Sequence, residues 1–135
     1  MIVGVEAVIF YGHARYTGDV DFSYSDEDKN AKALFDALSA FWDGNIPEIN
    51  NFAELQASGQ IIPFGRPPNR IDLLNQIDGV NFDEAWPHRK KVELEAEPSP
   101  IPINYLNLEN LIKNKAASTR PKDLDDLKYL KSLKI

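Results

Sequence analysis

Arg15-Tyr16-Thr17-Gly18-Asp19-Val20-Asp21-Phe22 sets two carboxylates one residue apart in a stretch that reads as a turn running into a strand. Alternate residues of an extended strand share a face, so Asp19 and Asp21 project together while Val20 and Phe22 point the other way into a core. Neighbouring carboxylates repel each other, and one tends to take up a proton unless a cation lies between them. A divalent metal ion is the simplest remedy, and Mg²⁺ is usually held by one or two carboxylates together with nucleotide phosphates. A Gly-Asp turn followed by a solvated strand residue produces the same short motif, so the surrounding sequence must discriminate.

Downstream, Gln60 to Gly65 and Arg70 to Leu74 read as two strands joined by the turn Arg66-Pro67-Pro68-Asn69. Arg70, Asp72 and Leu74 share one face, with Ile71 and Leu73 on the other. Asp72 thus interrupts an apolar run, where a carboxylate is costly unless paired or metal-bound. It is the candidate third carboxylate beside Asp19 and Asp21; the structural alternative is a salt bridge to a nearby arginine.

The remaining pattern supplies a scaffold. Ile2-Val3-Gly4 is a strand stub entering a turn, and Val5 to Tyr11 a short helix ended by Gly12. Val20 to Tyr24 is a strand, and Ser25 with Asp28 gives a capping pattern for the next helix. There Ala31, Leu34, Phe35, Leu38, Phe41 and Trp42 form an apolar stripe, broken at Asp43-Gly44-Asn45. Short helices are expected over Asn51 to Ala57 and Asn81 to Pro87, and strands over Lys91 to Glu95 and Ile101 to Tyr105. Two helices close the chain: Leu108 to Ala117 after Asn107, and one opening near Pro121 with Leu124, Leu127, Leu130 and Leu133 inward. The expected fold is α/β or α+β, a mixed sheet flanked by helices, in one domain spanning residues 1–135.

The net charge of −6 and the 43% hydrophobic content suit a globular chain and argue against a general nucleic-acid-coating surface. The charge is uneven: eight Lys and Arg against eighteen Asp and Glu precede Leu111, and seven against three follow from it. A basic C-terminal segment of this kind is able to face phosphates, although a Lys-rich helix is more often a solvated face. The absence of cysteine excludes disulfides, thiolate metal sites and a catalytic Cys. With no apolar run of membrane-span length and no secretory leader, the expectation is a cytoplasmic protein with no membrane partner. His13 and His88 form no helical pair for zinc, and no hydrolase triad is visible.

Further candidates surround the acidic set. Gly4, at a strand-to-helix turn, would let backbone N–H groups meet a phosphate. Arg15 is placed to balance triphosphate charge, or else is a surface cation. Lys115 is placed to reach the same phosphates, though a helix C-terminus also favours lysine; Asp123 equally suits the first turn of a helix.

These residues resemble the nucleotidyltransferase superfamily of DNA polymerase beta-like fold, and more narrowly its small members related to abortive-infection toxins. The resemblance runs through Val3-Gly4, Ala7-Val8, Tyr11-Gly12, residues 15–22, Gly65 to Leu74, Gly79 to Trp86, Leu108 to Ile112, Lys115 and Arg120 to Leu127. It implies a metal pair at Asp19 and Asp21, a third metal ligand at Asp72, and a catalytic set completed by Lys115. It further implies nucleotide contacts at Gly4, Arg15, Thr17 and Asp123. The implied cofactor is Mg²⁺ or Mn²⁺ and the implied substrate a nucleoside triphosphate, whose nucleoside monophosphate passes to a hydroxyl on a protein, an RNA end or a small molecule. Partners implied by the toxin relatives are a cognate antitoxin or other small protein, and tRNA. The alternative is a catalytically silent binding or regulatory module, favoured by Val5 in place of the second small residue of the family turn and by the short stretch before Gly4.

Overall fold

Parallel pairing of two strands places the acidic residues. In the computed structural model, which describes residues 1–118 and 120–133, β2 (Asp19–Ser23) runs alongside β4 (Arg70–Leu74) with Asp19 opposite Arg70, Asp21 opposite Asp72 and Ser23 opposite Leu74. Parallel neighbours need a crossover; here it contains α2 (Asp28–Phe41), a 3₁₀ turn at Phe52–Gln56 and β3 (Ile61–Phe64), which returns antiparallel against β4. Around this pair the remaining elements are β1 (Ile2–Val3), α1 (Gly4–Phe10), α3 (Phe82–Ala85), a 3₁₀ turn at Trp86–His88, β5 (Lys90–Leu94), β6 (Ile101–Tyr105), α4 (Leu108–Ala117) and α5 (Pro121–Ser132). The result is a mixed sheet of six strands in the order β3-β4-β2-β1-β6-β5. No helix among the described residues is long and apolar enough to cross a membrane.

The alternation of β2 and β4 sorts their side chains onto two faces. Phe22, Leu73 and Ile62 meet on one, beneath Ala31, Leu34, Phe35, Leu38 and Trp42 of the α2 segment and Leu55 of the 3₁₀ turn. The other face carries the carboxylates. Next to it a second cluster joins Val3, Ala7, Val8, Ala85, Leu106, Leu111 and Leu130, so α1, α4 and α5 pack on that side of the sheet.

Three expectations change. Ser25 does not cap α2, whose N-cap is Glu27 without a side-chain cap bond; the Ser25 hydroxyl accepts from the Glu27 N–H instead. Phe41 leaves the apolar stripe and is 73% exposed, because the core side of α2 runs through Ala31, Leu34, Leu38 and Trp42. The larger change is in α5. Leu124 and Leu133 are exposed, and the inward positions are Asp123, Asp126 and Leu130. The same helical spacing of three and four residues serves either set. Cations buried beneath the helix decide between them.

Leu130 is fully buried. Leu130→Ala is expected to cost about 2–5 kcal/mol, whereas Phe41→Ser should change stability by less than about 0.5 kcal/mol; urea denaturation midpoints measure both.

Candidate metal centre

The three carboxylates of β2 and β4 converge. Asp19, Asp21 and Asp72 each offer an oxygen, and these oxygens lie within 4.8 Å of one another. Each carboxylate is oriented by its neighbourhood. Thr17 Oγ1 donates to the Asp19 carbonyl at 2.9 Å and lies 3.2 Å from Asp19 Oδ1. Arg70 Nε donates to Asp72 Oδ1 at 2.8 Å, the salt bridge that the shared strand face of Arg70 and Asp72 makes available. Asp72 also shares a hydrogen bond with Asp21.

Asp21 lies between its two acidic neighbours, and its carboxyl is pushed up to about 6. Burial is the largest cause, followed by the charges of Asp19 and Asp72 and a hydrogen bond shared with Asp72; the cation of Lys115 acts in the opposite direction. Gly4 adds the space that this crowding requires. It has φ +65°, and a Cβ built there would stand 2.5 Å from Asp21 Oδ2. Only a glycine at this turn leaves that oxygen open. An all-oxygen set of three carboxylates with one raised carboxyl is able to hold a hard metal cation.

Lys115 and Arg15 reach the region by a different route from the one the sequence suggests. Lys115 is buried, with Nζ 2.8 Å from Asp123 Oδ1 and 3.2 Å from Asp126 Oδ2. Arg15 pairs with the carboxylate of Asp126. Asp123 is spent as an acceptor as well: Lys115 donates to one oxygen, and Ser118 Oγ and Arg120 Nε to the other. Burial alone would raise this carboxyl, but the three donors hold it well below the usual carboxylate range. Arg15 and Asp123 therefore bind their own chain where nucleotide contacts were expected, and Thr17 acts on Asp19. Asp126, Ser118 and Arg120 escaped the sequence reading. The one available signal was the spacing of Asp123 and Asp126 on the helix that follows Lys115.

Beside Asp21 opens a cavity of about 490 Å³, lined among others by Gly4, Leu74, Ile77, Lys115, Ser118 and Arg120. A neighbouring cavity of about 650 Å³ shares Gln76, Ile77 and Asp78 with it. Elsewhere His13 Nε2 stands 3.5 Å from Asp125 and 3.8 Å from Asp126. That cluster already contains the protein's own cations, because Arg15 and Lys115 both engage Asp126. Comparison with protein-family models, curated proteins and solved structures finds no match to this chain.

The ordinary value for Asp21 is 3.8 and its folded value about 6, so between these pH values the folded state holds the extra proton and stability from this group falls as pH rises. Asp21→Asn should therefore gain stability relative to the parent across that window, and saturating Mg²⁺ should raise the melting temperature of the parent more than that of the variant. Lys115→Met takes one donor from each of two buried carboxylates, leaving Arg15 on Asp126 and Ser118 with Arg120 on Asp123, and should cost about 1–3 kcal/mol, read by chemical denaturation.

Proposed function

We propose that this chain is a metal-dependent nucleotidyltransferase of the DNA polymerase beta-like superfamily. The single observation that carries the reading is the convergence of Asp19, Asp21 and Asp72 from two paired strands, with an oxygen of each within 4.8 Å of the others; of the three, Asp21 lines a cavity of about 490 Å³. That volume lies within the range of small-molecule sites, about 300–1,000 Å³. The sequence resemblance supports the same roles for the three aspartates.

A divalent ion bound there would offset triphosphate charge and lower the pKa of an attacking hydroxyl. The acceptor oxygen forms a bond to the α-phosphorus, the bond from that phosphorus to the bridging oxygen breaks, and pyrophosphate leaves with the electron pair. The hydroxyl proton passes to water. Arg70 holds Asp72 in place, Thr17 does the same for Asp19, and Gly4 keeps the approach to Asp21 open. Lys115, held by Asp123 and Asp126, lines the same cavity as Asp21 and opposes the rise of its carboxyl. Acceptors in this reading are hydroxyls of a protein, an RNA end or a small molecule, as in a toxin of a toxin–antitoxin pair.

One observation favours the second reading, a catalytically silent binding or regulatory module: Arg15 and Lys115, the cations expected at the pyrophosphate, are already neutralised by Asp126 and Asp123. Thermal stability with each of ATP, GTP, CTP and UTP plus Mg²⁺, combined with transfer of label from α-³²P nucleotides, separates the two. Stabilisation together with labelling abolished by Asp72→Ala, with fold retained, is the expected result. Stabilisation without label transfer to any acceptor supports the silent module, and full metal-dependent transfer by Asp72→Ala refutes the roles assigned here.

A further inference from the structure

The two edges of the sheet are built differently. β3, at one edge, carries Pro63 at its third position, and a proline there removes a backbone donor and blocks a further strand. β5, at the other, is Lys90-Lys91-Val92-Glu93-Leu94, with no proline and, among the described residues, no neighbour beyond β6. Its outer backbone groups are open to pairing.

The hairpin that ends in this edge is thinly anchored. β6 pairs with β1 at Ile2 opposite Tyr105, so the far half of the β5–β6 ribbon stands clear of the other strands. Its residues alternate cleanly. Val92 opposite Ile103 and Leu94 opposite Ile101 line one face, whereas Lys91 opposite Asn104 and Glu93 opposite Pro102 line the other. Leu94 and Ile101 are half exposed, at 53% and 50%, and none of the four apolar residues belongs to either core cluster. A two-stranded ribbon with an exposed apolar face is marginal in water and gains from a third strand.

The charges of the edge identify the occupant. When β5 is laid antiparallel against itself about a two-fold axis through Val92, Lys91 of each copy faces Glu93 of the other. Shifting the axis to Lys91 or to Glu93 sets like charges directly opposite, which is unfavourable. A shift to a bond between residues opposes residues that strand alternation sends to opposite faces. Lys90, Lys91, Glu93 and Glu95 take part in no ion pair within the chain among the described residues. From this self-complementarity we infer that β5 is an interface for a second copy of this chain, joining two six-stranded sheets edge to edge about Val92. Such a contact is isologous and closes as a dimer. It also makes the apolar stripes of the two ribbons continuous across the axis.

Sedimentation equilibrium of the full chain tests this directly, with circular dichroism as the check on fold. The parent should be a dimer. Lys91→Glu and Glu93→Lys should each raise the dimer dissociation constant by about tenfold or more, since the axis doubles every cross-strand pair. The double variant Lys91→Glu/Glu93→Lys should restore the parent value, because the swapped charges meet again. The chain has no cysteine, so Val92→Cys supplies a unique thiol, which should cross-link to its twin under mild oxidation. A parent that stays monomeric to millimolar concentration, a dimer indifferent to both single swaps, or a folded Val92→Cys chain that fails to cross-link would each overturn the inference.

Discussion

Asp21 opposite Asp72 across two parallel strands is the contact on which the functional half of this molecule depends. Registers that keep the hydrophobic faces together permit this arrangement or a shift by two residues; a shift by one would send Phe22 and Leu73 away from α2. The apolar layer beneath the sheet thus determines the placement of the acids above it. Burial of Phe22, Leu73 and Ile62 holds three like charges close together. Burial first, and the proximity of Asp19 and Asp72 after it, raises the carboxyl of Asp21.

The protein supports the acidic face with its own cations at two levels. Arg70 lies on the strand itself and reaches Asp72. Lys115 approaches from α4, buried and held by two aspartates of α5. A lysine removed from water is stable only with close anionic partners, so α5 must turn its acids inward. Leu124 then faces solvent, although its apolar side chain suits burial better. Lys115 consequently links the helical layer to the strand face, and its charge is felt by Asp21.

Much of the architecture was legible in the residues. Period-two alternation located β4, and helical periodicity located α2 and α4, within a residue or two of their observed limits. The face shared by Arg70, Asp72 and Leu74 was readable as well, because strand alternation is a local property. What failed to read was partnership. Arg15 and Asp126 are 111 residues apart in sequence, and neither carries a local mark of the other. Asp123 and Asp126 look like ordinary first-turn acids until the buried amine below them is known.

By itself the sequence determined the elements, the side of each strand its residues occupy, and the supply of three carboxylates with a glycine at the first turn. These follow from short-range geometry and the segregation of apolar from polar side chains. Only the tertiary structure decided which charges meet. It joined Lys115 and Arg15 to the acids of α5, opened the cleft beside Asp21, and left β5 as an unblocked edge. The physical reason is that electrostatic pairing depends on distance in space and on loss of water, and both are established only when strands and helices remote in the chain have packed.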